Sequence, residues 1–432
     1  MNLKTVTITL LLLILHCAAA ESADAPTVDG ERLNLTMEAM KTFGGNADGG
    51  SDRVAFSSHN LEALTYLAGL MKDAGMSTRI DYAGNLVGRL DGSRAGAATL
   101  LAGSHIDTVP NGGHYDGIVG VMAAIEVART LHDQDLRLEH PLEIAVWTNE
   151  EGGKTGSRSM NGSVEASEMA LPSLGDRTLG DGIRFLGGNP ERLAENQAEP
   201  GSIAGYLELH VEQGAILDRE QIDVGIVEGI VGIKRWYINV DGFANHAGTT
   251  PMDQRQDALL AAARFVVAVN DIITGEPGRQ VGTVGKLIPS PGAPNVIAGS
   301  VEMSLEIRDL DMGKVDRLFA KIEKAAADIG EDSGTTFAFN HYYTSPAAES
   351  DERIMGLIEQ SAAELGLKAM RMPSGAGHDA QSFKGVSILG MIFVPSRDGI
   401  SHAPTEYTAP EQITNGANLL LRTLIEMDRL LD

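Results

Sequence analysis

Residues 99–131, TLLAGSHIDTVPNGGHYDGIVGVMAAIEVARTL, decide the fold of this chain. The apolar run at 99–102 predicts a buried strand, and the Pro-, Gly- and Asn-rich segment after it predicts a loop. Beyond Asp116, apolar residues recur at helical spacing and predict a helix. The loop between strand and helix carries His105 and Asp107. Because open α/β sheets bind ligands at the carboxyl ends of their strands, this loop is a candidate functional site.

The polar side chains of this loop suit a metal ion. One imidazole and one or two carboxylates are ligands that zinc and similar divalent ions accept. Asp107, two residues after His105, has the spacing of a carboxylate that fixes the tautomer of the imidazole. The same pattern also fits a loop histidine with ordinary turn aspartates, so this stretch alone leaves both interpretations open.

The first twenty residues predict a secretory signal peptide. Lys4 precedes an apolar core at 6–15, and the alanines at 18–20 resemble a cleavage site. The apolar core is shorter than the roughly 18 residues that a membrane-spanning helix needs. Cys17 is the only cysteine, so after cleavage any metal must be held by His, Asp and Glu. We therefore expect a secreted or periplasmic protein that has no membrane attachment once the signal is removed.

Length and charge restrict the class of protein. At 432 residues the chain exceeds what one hydrophobic core usually holds, so we expect two domains. The 34 Lys and Arg residues against 59 Asp and Glu residues give a net charge of −25. A surface of that sign repels phosphates, which argues against nucleic acid and anionic membranes as partners. Few aromatic residues and 50 glycines fit a loop-rich α/β enzyme.

Two further predicted strands also end in side chains that can bind a metal. The segment 141–148 alternates apolar and polar residues and is followed by Glu150 and Glu151. Adjacent side chains at the end of a strand point in different directions, so one glutamate can bind a metal while the other acts as a base. Taken alone, however, two adjacent glutamates are more commonly a solvated pair. The segment 206–214 is another strand pattern, and it contains His210. Because three strands end in candidate ligands, a metal site is favoured over three unrelated polar strand ends.

The order of elements between 232 and 345 predicts an inserted domain. A strand, a helix, two strands, a second helix and a last strand follow one another, which is the order of the ferredoxin-like motif. Thr249, Thr250 and Pro251 are expected to cap the first of these helices.

After this insertion the α/β pattern resumes. A predicted strand at 386–394 is followed by His402, again just beyond a strand. We therefore predict an α/β fold with a discontinuous catalytic domain, formed by 21–231 and 346–432, whose mostly parallel sheet is flanked by helices. The inserted unit, 232–345, is predicted to be a ferredoxin-like α+β domain that serves for dimerisation or as a lid.

Several motifs, in order along the chain, resemble one enzyme family. They are His105-x-Asp107, Asp116-Gly117, Glu150-Glu151, His210, His402, LELHVEQG (207–214), FANHAGTTPMDQR (243–255), PGAPNVIAG (291–299), EIRDLD (306–311) and GAGHDA (375–380). The chain resembles the dinuclear-zinc amidohydrolases among the aminoacylase-like metallopeptidases, specifically the branch of N-carbamoyl-L-amino acid hydrolases and allantoate amidohydrolases. One departure follows Glu151: the family usually continues Gly-Ala/Ser-Arg-Phe, whereas this chain has GGKT (152–155) at what would be the rim of the substrate pocket.

The resemblance implies a site with two divalent metal ions, zinc in the first place and Mn, Co or Ni as alternatives. Glu150 would be the general base, which takes a proton from water and returns it to the leaving nitrogen. The implied ligands are His105 and His210 for one ion, Glu151 and His402 for the other, and Asp116 as the bridge between them.

The resemblance also implies the residues that contact the substrate. Arg308 lies on the polar face of an alternating strand, where its guanidinium could hold a carboxylate with two hydrogen bonds. His246 is implied to reach the oxyanion position and so to take part in catalysis, from a partner subunit across a dimer of inserted domains. The implied contacts are Gln213, His246, Asn295, Arg308 and Ala376, and the histidines without such support, expected to be solvated or structural, are His59, His114, His132, His140 and His341.

The expected function is the hydrolysis of a linear amide, namely of an N-carbamoyl-L-amino acid to the amino acid, carbon dioxide and ammonia. Allantoate, ureidoglycolate or a small peptide remain open as alternative substrates. A non-catalytic binding protein with the same fold is a further alternative, disfavoured because all five ligand positions and Glu150 carry competent residues. We expect a small-molecule carboxylate as substrate and a homodimer formed through the inserted domain.

Overall fold

The computed structural model describes residues 25–431. The predicted signal peptide at 1–20 lies outside the described residues. Two β-sheets, one of nine strands and one of four, organise the described part of the chain. The strands are β1 (Ser77–Ile80), β2 (Leu86–Leu90), β3 (Thr99–His105), β4 (Leu142–Trp147), β5 (Ile203–Val211), β6 (Val224–Ile230), β7 (Gly232–Asp241), β8 (Val281–Ser290), β9 (Ser300–Asp309), β10 (Thr336–Ser345), β11 (Ala348–Glu349), β12 (Ala369–Ser374) and β13 (Ile388–Val394).

Helices connect most of these strands, as expected for an α/β fold. The α-helices are α1 (Gly30–Met40), α2 (Ser58–Asp73), α3 (Ile118–Asp133), α4 (Thr155–Ser159), α5 (Leu179–Phe185), α6 (Ile216–Glu220), α7 (Ala258–Gly275), α8 (Met312–Ser333), α9 (Glu352–Glu364) and α10 (Pro410–Leu430). Short 3₁₀ helices lie at Ala166–Ala170, Pro190–Asn196, Met252–Gln254, Asp379–Phe383 and Arg397–Gly399.

The larger sheet has the strand order β1-β2-β4-β3-β5-β13-β6, and both β11 and β12 pair with β6. Its central strands β4, β3, β5 and β13 run parallel to one another, while antiparallel pairs lie towards both edges. The predicted α/β class with a mostly parallel sheet is confirmed. Because the central strands are parallel, the loops after them meet at one edge of the sheet.

Both faces of this sheet are covered. The side chains of β3 alternate, so Leu100 and Ala102 join the core with α3 and α10, whereas Leu101 joins the core on the opposite face. On that second face Tyr206 stacks on Phe383, with ring centroids 4.0 Å apart. Burial on both faces explains why the strand sequence is a continuous apolar run.

The smaller sheet has the strand order β10-β7-β9-β8, and all its pairs are antiparallel. Helices α7 and α8 pack on it through a core that includes Trp236, Phe265 and Met303. The element order and the strand order are those of the ferredoxin-like motif. Its strands lie between Gly232 and Ser345, and β6 and β11 of the larger sheet lie directly before and after them.

Two local predictions differ from the structure. The helix predicted to be capped by Thr249, Thr250 and Pro251 begins instead at Ala258, where the side chain of Asp257 accepts two main-chain N–H groups. Asp257 therefore takes the capping role, and Pro251 precedes only a 3₁₀ turn. Strands β6, β11 and β12 were not predicted; β6 is interrupted by two glycines, and β11 has only two residues, so their patterns carry little periodic signal.

Candidate metal centre

The loops at the carboxyl ends of the central strands bring the predicted ligands together. His105 is the last residue of β3, and His210 lies one residue before the end of β5. Glu151 follows β4, and His402 follows β13. Neighbouring parallel strands therefore deliver residues that are almost 300 positions apart in the sequence to one place.

Asp116, which directly precedes Gly117 at the start of α3, lies in the centre of this group. Its Oδ1 is 3.5 Å from His105 Nε2 and 3.2 Å from His210 Nε2. Its Oδ2 is 3.1 Å from His402 Nε2, which in turn is 3.4 Å from Glu151 Oε1. Oδ1 of Asp116 thus faces two candidate ligands, and Oδ2 faces a third, His402, which lies beside Glu151; a bridging residue would be placed in this way.

The hydrogen bonds of the buried histidines suit a cation at this site. His210 Nδ1 donates to the Val211 carbonyl at 2.9 Å, and His105 Nδ1 donates to the Asp107 carbonyl at 3.0 Å. Their Nε2 atoms therefore carry lone pairs in the neutral rings. His210 Nε2 is buried without a hydrogen-bond partner. A lone pair directed at a carboxylate is repelled unless a cation lies between them, so the residues present fit a divalent metal ion.

Among the residues that the structure describes, three groups meet the geometric requirement for such an ion, and the ligand atoms of each lie within 4.8 Å of one another. Two of them share Asp116: one is His105, Asp116 and His210, and the other is Asp116, Glu151 and His402. The third group is Glu208, His210 and His378.

Asp107 supports the site through atoms other than those predicted. Its carboxylate lies 3.9 Å from His105 Nδ1, beyond hydrogen-bond distance, and the main-chain carbonyl orients the imidazole instead. The carboxylate accepts the main-chain N–H groups of Glu150 at 3.2 Å and of Glu151 at 3.1 Å. The prediction that the Asp107 carboxylate fixes the tautomer of His105 is wrong, because the main-chain carbonyl of Asp107 is the partner of His105 Nδ1.

Glu406 was not predicted and connects two of the ligand loops. Its Oε1 accepts the main-chain N–H groups of Tyr115 at 2.8 Å and of Asp116 at 2.9 Å. Its Oε2 accepts the Ser401 hydroxyl at 2.8 Å and the His402 N–H at 3.3 Å. This residue therefore positions Asp116 and the loop of His402 together. Its only sequence signal is its place four residues after His402.

Gln213 lies at the centre itself. Its Nε2 donates to Asp116 Oδ2 at 2.7 Å and lies 3.4 Å from His402 Nε2. Gln213 and His402 both have positive φ angles, 58° and 56°. Non-glycine residues in this conformation are strained and occur preferentially at functional sites. Gln213 was predicted to contact the substrate, and the structure places it against the candidate metal ligands.

Glu150 lies close to the candidate ligands but, unlike the histidines, makes no direct contact with Asp116. Its Oε2 is 3.8 Å from His105 Nε2, and its side chain is 12% exposed. Burial raises the pKa of Glu150, and the charges of His105 and Lys154 oppose this rise. Burial, assisted by the charge of Asp116, raises the pKa of Glu151 to about 8. Positive charge from a metal ion would stabilise both groups as carboxylates.

A second polar cluster, also not predicted, lies beneath His210. Glu208 accepts hydrogen bonds from the Ser104 hydroxyl and the Ala380 N–H, both at 2.8 Å. The His378 ring packs edge-on against His210 at 4.4 Å. Burial, assisted by the charge of Glu208, raises the pKa of Asp379 well above its usual range. The GAGHDA motif marks this region, but it gives no indication that His378 and Asp379 are buried beneath a ligand.

The predicted substrate contacts fall into two groups. Arg308 donates through Nη1 to the Gly375 carbonyl at 2.7 Å and through Nε to Glu306 at 2.6 Å. The structure therefore brings Arg308 to the loop that contains Ala376, whose N–H donates to the Ser374 hydroxyl. This loop leads directly into the residues beneath His210.

His246 and Asn295 lie together elsewhere. The Ala247 N–H donates to the Asn295 carbonyl at 3.0 Å, and His246 pairs with Val296 in an isolated bridge. Both follow the end of the small sheet at which β9 begins, whereas Arg308 lies near the end of β9. At about 3.3 Å per residue, the length of β9 separates the two groups by roughly 25 Å. Within one chain, the structure does not bring His246 and Asn295 to Arg308.

The five histidines without a predicted role lie in other surroundings. His140 is buried and bonded to Asp428 at 2.9 Å, and His341 lies on β10, 2.8 Å from the Thr344 hydroxyl. His59 is half exposed on α2, His114 lies 3.2 Å from the Gly49 carbonyl, and His132 lies at the end of α3.

Buried histidines and carboxylates around a shared aspartate, with a further glutamate beside them, define the class of metal-dependent hydrolases. Residues 101–426 match the model of Peptidase family M20/M25/M40. The chain belongs to this family.

Similar proteins cover nearly all of the chain. The N-carbamoyl-L-amino-acid amidohydrolase of Pseudomonas sp. (strain NS671) is 33% identical over 408 residues, 93% of this chain and 99% of that protein. The ureidoglycolate hydrolase of Oryza sativa subsp. japonica is 33% identical over 405 residues, 91% of this chain and 84% of that protein. The crystal structure of a hydantoinase/carbamoylase family amidase from Burkholderia ambifaria superimposes with a TM-score of 0.86 at 33% identity, covering 94% and 98% of the two chains.

Proposed function

We propose that this protein is a dinuclear zinc amidohydrolase that converts an N-carbamoyl-L-amino acid to the amino acid, carbon dioxide and ammonia. The observation that carries the proposal is the arrangement around Asp116, in which Oδ1 faces His105 and His210 and Oδ2 faces His402. Glu151 lies beside His402, and Glu150 makes no direct contact with Asp116. His105 and His210 would hold one ion, Glu151 and His402 the other. Relatives that act on carbamoyl compounds, at one third identity over most of the chain, support the same reaction.

The chain's own residues divide the work of the reaction. The chemistry that bound divalent ions supply is Lewis acidity towards a water molecule and towards the carbonyl under attack. Glu150 takes a proton from the water and returns it to the leaving nitrogen, as a positioned carboxylate can. Asp107 fixes the turn of Glu150 and Glu151 by accepting both of their main-chain N–H groups. Attack of water at the ureido carbon breaks its bond to the nitrogen of the amino acid. The products are the amino acid and a carbamate, which decomposes to carbon dioxide and ammonia.

Arg308 is proposed to bind the carboxylate of the substrate. Its guanidinium is held by Glu306 through Nε and by Gly375 through Nη1. Among the described residues, 25–431, no hydrogen bond involves Arg308 Nη2, so this edge is available for a charge-assisted bond to a ligand. Allantoate and ureidoglycolate also carry a carboxylate, and they remain alternative substrates of the same site.

His246 and Asn295 are proposed to act in the site of a second copy of the chain. Helix α7 has 18 residues and a mean hydropathy of 1.6, so by length and composition it could cross a membrane. Only 33% of it is buried in the structure. Its exposed side chains include Leu260 and Val267, which are 46% and 60% exposed, and the edge strand β8 exposes Ile288. An apolar face next to an unpaired strand edge suits a homodimer of inserted domains.

The dimer can be tested separately from the chemistry. Val267→Asp places a charge on the exposed face of α7 and should convert the dimer to a monomer in analytical ultracentrifugation. Lys324→Asp, which alters the charge of an exposed residue on α8 instead of on α7, is the control. A wild-type chain that sediments as a monomer would contradict the proposal.

The sequence at 1–20 supports export, so we propose a secreted or periplasmic protein. Expression of the full chain with its own leader, followed by fractionation and N-terminal sequencing, should recover a protein that begins near residue 21. Recovery of the intact leader in the cytoplasmic fraction would contradict this location.

A substrate screen tests the reaction itself. Metal-replete protein should release ammonia and the free amino acid from N-carbamoyl-L-amino acids, and it should act on their D-enantiomers, on allantoate, on ureidoglycolate and on dipeptides with lower kcat/KM. Glu150→Gln serves as the matched control for contaminating activity, because it should retain the metal but lose turnover. Preference for allantoate or ureidoglycolate would replace the proposed substrate by one of these alternatives.

A further inference from the structure

We propose that Lys154 binds a second carboxylate of the substrate. The substrate is then the N-carbamoyl derivative of a dicarboxylic amino acid of the aspartate or glutamate type. This inference rests on the proposed function and deepens it. Arg308 would bind the α-carboxylate, and Lys154 the carboxylate of the side chain.

Lys154 lies beside the catalytic turn rather than in bulk solvent. It follows Glu150 by four residues, and its main-chain N–H donates to the Glu150 carbonyl at 3.0 Å. Its φ angle is 59°, a conformation that non-glycine residues rarely adopt. Nζ donates to Gln381 Oε1 at 2.5 Å. Main-chain strain of this kind clusters at active sites.

The Gly375–Gly377 loop joins the two proposed cations. Arg308 Nη1 contacts the carbonyl of Gly375, and a β-carbon added at Gly377 would lie 3.1 Å from Lys154 Nζ. The Cα atoms of Gly375 and Gly377 are at most about 7.6 Å apart, because each peptide step spans about 3.8 Å. The loop therefore places the two cations near each other.

The charge of Lys154 is not neutralised within the protein. Between residues 25 and 431 no carboxylate lies within 4.0 Å of its Nζ, and its hydrogen-bond partner Gln381 is neutral. The nearby Arg158, by contrast, is engaged by both oxygens of Glu168 at 2.8 Å. In a chain with a net charge of −25, an ammonium group without a carboxylate partner is available for an anionic ligand.

The surroundings of Lys154 leave room for a ligand group. A cavity of about 590 Å³ adjoins it, lined in part by Arg158, Tyr343 and Gln381. Gln381 is itself fixed, because its Nε2 donates to the Ser345 hydroxyl at 3.0 Å and to the Pro346 carbonyl at 2.7 Å. The acceptor of Lys154 therefore holds the ammonium group in place without cancelling its charge.

The test compares an acid with its neutral isostere. For each protein, kcat/KM is measured with N-carbamoyl-L-aspartate and with N-carbamoyl-L-asparagine, and the acid-to-amide ratio is taken. Because the ratio is internal to each protein, a difference in the active fraction cancels. Wild type should prefer the acid, and Lys154→Met should lower the ratio by about tenfold or more, the effect of losing a charge-assisted hydrogen bond.

Two further variants make the test specific. Lys154→Arg keeps the charge and should keep a ratio well above that of Lys154→Met. Lys368→Met removes a charge from an exposed lysine elsewhere and should keep the wild-type ratio. Calorimetry of the products L-aspartate and L-asparagine provides a readout without turnover, and the preference for L-aspartate should be lost in Lys154→Met alone.

The outcomes separate this inference from the proposed function. Equal ratios in wild type and Lys154→Met, with N-carbamoyl amino acids still hydrolysed, overturn the role of Lys154 and leave the reaction standing. A wild type that prefers N-carbamoyl-L-asparagine overturns it as well. If metal-replete wild type hydrolyses no N-carbamoyl amino acid, the proposed function fails, and the dicarboxylic substrate fails with it.

Discussion

Replacing Glu406 with glutamine should weaken metal binding although Glu406 is not a ligand. The carboxylate accepts hydrogen bonds from Tyr115 N–H, Asp116 N–H, the Ser401 hydroxyl and His402 N–H, two on each oxygen. Glutamine keeps the volume but presents an NH₂ group in place of one oxygen. Two donors then face a donor instead of an acceptor, on the side either of Asp116 or of His402.

The size of the effect follows from which bonds are lost. A hydrogen bond to a charged group contributes about 1.5–3 kcal/mol. On one side the Ser401 hydroxyl can turn to Asp116 Oδ2, which lies 3.1 Å away, and the other bond from His402 N–H is already long at 3.3 Å. The amide will therefore orient its NH₂ group to that side, and the net cost is about 2–3 kcal/mol. Substituting groups that support metal ligands lowers metal affinity or activity by about 10- to 100-fold.

The assay is a titration of the metal-free protein with Zn²⁺ in the presence of a competing chromophoric chelator. Glu406→Gln should lose one to two orders of magnitude in the weaker of two binding steps, because His402 is the more exposed ligand, 48% exposed in its side chain. Glu411→Gln, the same change at an exposed position in the first turn of α10, is the matched control. If Glu406→Gln binds metal as tightly as Glu411→Gln, Glu406 does not position the ligands.

Three further predictions concern the chemistry. Glu150→Gln should retain the wild-type metal content by mass spectrometry yet lose roughly 10²-fold or more in kcat, and full activity in the loaded variant would refute its role as base. Arg308→Lys should lower kcat/KM by at least about tenfold for a carbamoyl amino acid, since lysine cannot reproduce the guanidinium geometry. Unchanged discrimination between that acid and its α-amide would refute a carboxylate contact. Prolonged dialysis against a chelator should abolish activity and lower the midpoint of thermal unfolding, because ions that bind only the folded state stabilise it. Zinc should restore both, and an unaltered melting curve would count against ligands as buried as His105 and His210.

Four of the candidate ligands were predictable because each lies at or just after the carboxyl end of a central strand. A parallel sheet places the ends of its central strands at one edge, so His105, Glu151, His210 and His402 had to converge once those strands were recognised. The apolar runs before them are strong signals, since strands buried on both faces show little alternation. The convergence therefore required no knowledge of side-chain positions.

The supporting residues could not be predicted in the same way. Glu406 contacts the main chain of Asp116 from 290 positions away, and His378 packs against His210 on β5. Such contacts depend on loop conformation, and no sequence spacing encodes it. The start of helix α7 was predicted wrongly for a related reason. Thr249 and Asp257 both have side chains that can cap a helix. The packing of Ala258 in the core of the small sheet favours Asp257.

The proposed role of Arg308 gives the small sheet a part in the candidate site. Arg308 belongs to the small sheet, whereas the ligands belong to the large one, and the chain passes between these sheets only near Val231 and Pro346. The hydrogen bond from Arg308 to Gly375 and those from Gln381 to Ser345 and Pro346 cross this junction. A carboxylate bound by Arg308 is therefore held from the small sheet while the ligands act from the large one. The relative position of the sheets then determines where the scissile carbonyl lies, so substitutions at the junction should alter kcat more than metal content.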